Sequence, residues 1–240
     1  MKKRKYIASV LAFFMFSLLF SPNNVNASES VGEIEKIYNE YRNNNNLSDN
    51  NFGFLIDSTG KKVEVPVYVL PHSKNNTRSK NGLIEESVTC VYALDKSMFD
   101  GKNKARSSST VKDDDGTYVY GTCTITYSKL NPTTNYQTRY LLTKVIAKWE
   151  VKTSQISLSN RRVAYTCQSL QYPNQTTFKN PTSNSESYNT GYNNYSEDVV
   201  GSWVAAQMNV TCNRGTGKWK FDLHNTIINN TSGLESLFNI

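Results

Sequence analysis

The residues able to do covalent or acid–base work are few: two histidines, four cysteines and a scatter of carboxylates. His72 follows Pro71 in a polar stretch and reads as a loop residue. His224 continues the outward face of Lys218, Lys220 and Asp222 in the last strand. Two isolated histidines make neither a nucleophile–base pair nor a metal set, so no catalytic residue, metal or cofactor is expected. The acids Glu85, Glu86, Glu186, Glu197, Asp198 and Asp222 lack a recognisable active-site setting. A glycosidase needs two carboxyls facing across a cleft, and sequence places no such pair. Asp113-Asp114-Asp115-Gly116 is acidic enough to suggest Ca²⁺. Its acids are consecutive, however, where a calcium loop alternates its ligands, so a turn is the simpler reading.

Thr211-Cys212 followed by Arg214 superficially resembles part of a sortase-like site, found in exported β-barrel enzymes that use Cys, His and Arg. Cys212 has three possible disulfide partners here, and an oxidised cysteine is no nucleophile. The patterns Gly-x-Ser-x-Gly and His-Glu-x-x-His are absent. Binding chemistry is better represented. Tyr172, Tyr188, Tyr192 and Tyr195 lie in one polar stretch with Asn189, Asn193 and Asn194. Flat apolar rings beside amide donors and acceptors suit a sugar ring or a protein epitope. These four tyrosines are the expected ligand-binding residues.

Compartment follows from the N-terminus. Lys2 to Lys5 is basic, Ile7 to Phe20 is apolar, Pro22 breaks the run, and Val25-Asn26-Ala27 offers small residues before a cut at Ser28. The apolar run is shorter than the ~20 residues a membrane span needs. The expectation is therefore a signal peptide over 1–27 and a secreted, extracellular product with no integral membrane segment. Four of the 27 basic residues leave with that signal, so 23 bases face 20 acids and the net charge falls from +7 to +3. That balance is no nucleic-acid footprint.

The elements that must position these residues are mostly strands. Val31, Ile34, Ile37, Tyr38 and Tyr41 recur at helical spacing after a Ser30/Glu33 capping box, giving one N-terminal helix that packs on the domain or forms a stalk. From Lys62 onward the period is two. Val63 to Val69 reads as one edge strand carrying Pro66. Further strands read as 84–94, 117–130, 140–152, 161–171, 199–212 and 217–224, separated by Asn-Gly, Asp-Gly, Asn-Pro and Gly-Thr-Gly breakers. A short last helix over 232–238 and two long loops, 97–115 and 172–198, complete the reading.

Parity then places the cysteines. Cys90, Cys123, Cys167 and Cys212 each share a strand face with Val, Ile, Tyr, Leu or Met, while the opposite faces carry Thr, Gln and Asn. Trp149 and Trp219 follow the same rule. Four core cysteines in an exported chain predict two disulfides. Of the three pairings, Cys90–Cys123 with Cys167–Cys212 joins strands that are neighbours in sequence. The fold class is all-β: an antiparallel β-sandwich of about seven strands, with a closed barrel as the alternative. The organisation is signal 1–27, helix and Asn-rich linker 28–51, and a single β domain 52–240. The function expected is a secreted binding or adhesion module for a surface glycan or another protein. A secreted hydrolase and a pore-forming toxin are the alternatives, and enzyme activity is the less favoured class.

Overall fold

The computed structural model describes residues 27–48, 51–73, 84–100, 116–130, 137–229 and 237–238. The chain divides into two compact units, Met1–Glu33 and Ile34–Ile240. Of the first, only the opening turns of helix α1 (Ala27–Asn43) are described. The export-signal expectation therefore falls, apart from Ala27, outside the described residues. So does the Asp113–Asp115 cluster.

The second unit is a β-sandwich of two antiparallel sheets that do not close into a barrel. Sheet I runs β2 (Lys62–Val65), β1 (Phe52–Asp57), β12 (Gly217–Asn229), β11 (Trp203–Arg214), β7 (Ser157–Gln168), β8 (Gln175–Lys179). Sheet II runs β10 (Ser196–Glu197), β6 (Arg139–Val151), β5 (Thr117–Leu130), β4 (Ile84–Asp95), β3 (Val67–Ser73), with β9 (Ser185–Asn189) also on β6. A short helical turn, α2 (Lys96–Phe99), follows β4. Twelve strands thus stand among the described residues where about seven were expected.

Two differences have a clear cause. The expected edge strand Val63–Val69 is cut at Pro66, and its halves are edge strands of different sheets. Proline has no N–H for a ladder, so the chain passes from sheet I to sheet II there. The expected loop 172–198 holds β8, β9 and β10. Their five- and two-residue lengths and Asn/Ser/Thr composition hide them from periodicity, because each has one exposed edge and little apolar face to alternate. His72, expected in a loop, lies on the backbone of β3. The expected last helix falls mainly outside the described residues, and Leu237–Phe238 form a bend.

The core is the predicted parity made physical. Val88, Cys90, Tyr92 and Leu94 from β4 meet Val163, Tyr165, Met208, Val210, Phe221 and Leu223 from sheet I in one buried cluster. The Tyr92 and Phe221 ring centroids lie 4.0 Å apart. Gly121 stands directly opposite Tyr92, and a Cβ there would fall 2.2 Å from the Tyr92 hydroxyl oxygen. Glycine is what lets the phenol lie across the strand. A second, smaller cluster joins Ile34 with Val91, Ala93 and Tyr120, and Ile37, Tyr38 and Tyr41 pack against it. From Ile34 on, α1 therefore covers part of the outer face of sheet II.

Candidate functional site

At one end of the sandwich two turns and α2 come together. Asp57 closes the β1–β2 turn: its Oδ1 accepts from Thr59 N at 2.8 Å, Thr59 Oγ1 at 2.6 Å and Lys61 N at 3.0 Å. Those bonds, the Thr59 hydroxyl first, hold its carboxyl below the usual carboxylate range. Gly60 at φ 85° supplies the left-handed residue the turn requires. On α2, Asp95 caps the N-terminus by accepting from Ser97 N at 2.8 Å and Met98 N at 3.2 Å. This presents Met98, Phe99 and Asp100. Asp100 is ion-paired with Arg214 at 2.6 Å.

The pairing Asp57↔Trp219 across β1 and β12 brings these turns to the β11–β12 turn. Between them lies a cleft of about 300 Å³, lined by Leu55, Val63, Met98, Phe99, Gly217 and Trp219 with Asp57, Ser58, Lys61, Asp100 and Lys218. The Trp219 and Phe99 rings meet edge to face at 5.1 Å. A Cβ on Gly217 would fall 2.3 Å from Trp219 Cη2 and 2.6 Å from Cζ3, so the indole lies over the glycine. The cleft offers an aromatic plate beside two carboxylates and two ammonium groups. With acceptors and donors set beside an aromatic plate, the lining suits a ligand rich in hydroxyls. Asp57, lowered by its turn hydrogen bonds, is a poor proton donor, and Asp100 is engaged by Arg214.

The expected ligand tyrosines are divided by the structure rather than gathered. Tyr188, on β9, and Tyr192 pack against the main core, with ring centroids 6.2 and 5.8 Å from Tyr165. The Tyr192 hydroxyl donates to Tyr165 O at 3.0 Å and lies equally near Thr177 Oγ1. Burial pushes that phenol up to about 12. Tyr195 is half-buried, and Tyr172 is 40 % exposed. Tyr188 and Tyr192 are thus partly buried rings packed against the core beside β7 and β9.

All four cysteines are buried free thiols. Burial pushes Cys123 and Cys212 up to about 12 and Cys167 up to about 11. The thiolate needed of a nucleophile is suppressed at all three. Cys90 stands directly opposite Cys123 across β4 and β5. The pairing Cys167–Cys212 is corrected. Cys167 lies opposite Val204 and Cys212 opposite Leu158, eight residues apart along β11, or roughly 25 Å at strand rise. A disulfide spans at most about 7 Å between Cα atoms. His224 keeps its outward parity but is buried, with Nε2 3.3 Å from Asp222 Oδ2. No group of three or more His, Cys, Asp or Glu side chains placed to hold a metal occurs among the described residues.

Sequence reasoning missed the cleft. The Gly215-Thr-Gly217 signal beside it reads only as a strand breaker. Trp219 was assigned correctly to the inward face, which at a strand end becomes a cleft wall. Compared with known proteins, the chain matches no family model, no curated protein and no solved structure.

Proposed function

We propose that this chain is an exported binding module whose ligand lies in the end cleft against Trp219, and that the ligand is a glycan. The observation carrying this reading is the cleft of about 300 Å³ with an indole and a phenyl ring beside carboxylates and ammonium groups. Pyranose rings present a C–H face to aromatic plates and hydroxyls to carboxylates and amines, so each half of the lining has a use. Export rests on the basic, apolar and small-residue order of residues 2–27. Among the described residues no helix is long and apolar enough to cross a membrane.

The test is a glycan array probed with the purified chain from Ser28, followed by titration of the best hit. Trp219→Ala and Lys61→Ala are each expected to weaken binding, the first by about tenfold or more, the scale of one lost ring contact. Tyr172→Ala should leave it unchanged. Binding that survives both cleft variants would overturn the assignment.

A second reading, contact with another protein, is favoured by one observation at the opposite end of sheet I. Leu170 is 70 % exposed and Val200 82 %, on the loops that follow β7 and β10, with Tyr172 beside Leu170 in sequence. A Cβ on Gly201 would lie 3.1 Å from Leu170 Cδ2, so the two loops meet. Loss of a pull-down partner on Leu170→Ser with Val200→Ser, and retention of it by Trp219→Ala, would favour this reading over the first.

A further inference from the structure

Outward side chains of a sandwich strand meet solvent unless something lies on them. In β11 and β12 the outward residues Gln207, Asn209, Asp222 and His224 are instead buried, at 1, 4, 3 and 5 % exposure. Leu237 lies against Gln207, and Phe238 follows it toward Arg162 and Phe178. The Leu237 N–H donates to Gln207 Oε1 at 2.7 Å, and Gln207 Nε2 donates to the two Asp222 oxygens at 2.7 and 2.8 Å. Asp222 thereby fixes which way the amide points, leaving its carbonyl for a main-chain donor. His224 supports the carboxylate and stacks on Phe52 at 4.3 Å. The Phe238 ring is 1 % exposed, with the Arg162 guanidinium 4.1 Å from its centroid and the Phe178 ring at 6.1 Å. Phe178 is itself 56 % exposed. Register puts Ala164 between Gln207 and Phe178, leaving room in the row.

An oriented acceptor for one backbone N–H, followed by a cation and a ring around the next side chain, is how a surface reads an extended peptide with an aromatic residue. We propose that Gln207, Arg162 and Phe178 form such a peptide-recognition site on the outer face of sheet I, and that the chain's own Leu237–Phe238 occupies it as a self-ligand. The occupant is argued from the segment seated there. A peptide of the same chemistry competes with it, and the tether gives the self-ligand a high effective concentration.

The experiment is fluorescence anisotropy of a labelled peptide of residues Leu234–Ile240. It is titrated with the unaltered chain, with Phe238→Ala, and with Phe238→Ala combined with Arg162→Ala. The single variant is expected to bind the peptide at least about tenfold more tightly than the unaltered chain, because its own segment no longer competes. Adding Arg162→Ala should weaken binding about fivefold, the scale of one partly desolvated cation–π contact. Equal binding by the unaltered chain and Phe238→Ala, no binding by either, or indifference to Arg162→Ala would each overturn the proposal. If Phe238→Ala fails to fold by circular dichroism, hydrogen exchange at the Leu237 amide of the unaltered chain decides. Exchange that quickens with excess peptide supports the site, and exchange that stays constant sinks it.

Discussion

Glu150 is buried beside α1 with Lys152, whose Nζ lies 3.2 Å from Glu150 Oε1 and 2.6 Å from Glu35 Oε2. Burial raises its carboxyl above the ordinary 4.5, against the lowering pull of Lys152. A raised folded-state value means that the native chain holds this proton more tightly than the unfolded one. The stability it contributes is full below the ordinary value and is lost as pH rises through the folded value. Glu150→Gln keeps the shape and removes the desolvated charge, while Lys152 retains Glu35. The variant is expected to melt higher than the parent at neutral pH and to lose the parent's decline above pH about 4.5. Thermal melts of both proteins between pH about 4 and about 7 test this. Parallel curves would show that Glu150 is not the titrating group.

At the scale of elements, one aromatic–glycine contact holds two strands together. Gly121 admits the Tyr92 ring, which is fully buried in the core. Gly121→Ala should cost about 1–3 kcal/mol or more, the range of overpacking a filled core. Urea titration monitored by tryptophan fluorescence measures it, and an unchanged midpoint would mean that the strand shifts freely. The β8–β9 region makes the converse prediction. Tyr188 and Tyr192 pack against the core, so each change to alanine should cost about 2–3 kcal/mol, below the range for a fully buried ring. A double variant that keeps the parent's thermal midpoint would return these rings to the surface role that their composition suggests.

For the molecule as a whole, the cysteines join fold and compartment. If the chain is exported, Cys90 and Cys123 can close, since opposite residues on antiparallel neighbours lie about 4.5–5.5 Å apart. Cys167 and Cys212 sit too far apart along one strand to join each other. Thiol titration of the denatured, unreduced protein is therefore expected to find two free thiols. Finding none would mean that Cys90 and Cys123 pair with Cys167 and Cys212 instead of with each other, and finding four would show that the Cys90–Cys123 pair stays open. In the native state all four should resist thiol reagents, because burial both shields them and suppresses the thiolate.

By itself the sequence determined what repeats along the chain. Alternation of apolar and polar residues placed strands at 84–94, 117–130 and 217–224, where β4, β5 and the first part of β12 lie, and assigned Cys90, Cys123, Cys167, Cys212 and Trp149 to the core. It also found α1 from its Ile34, Ile37, Tyr38 and Tyr41 stripe. Side-chain direction follows backbone period, so burial on these elements is a local property. Only the tertiary structure decided what depends on which strands become neighbours. Pairing of β1 with β12 set Asp57 beside Trp219 and made the cleft. Register between β7 and β11 separated Cys167 from Cys212. Stacking of Phe52 on His224 and the hydrogen bonds from Gln207 to Asp222 tie outward groups of β11 and β12 into buried contacts. These are contacts between residues tens to more than a hundred positions apart, and no local periodicity encodes which distant strand lies next to which.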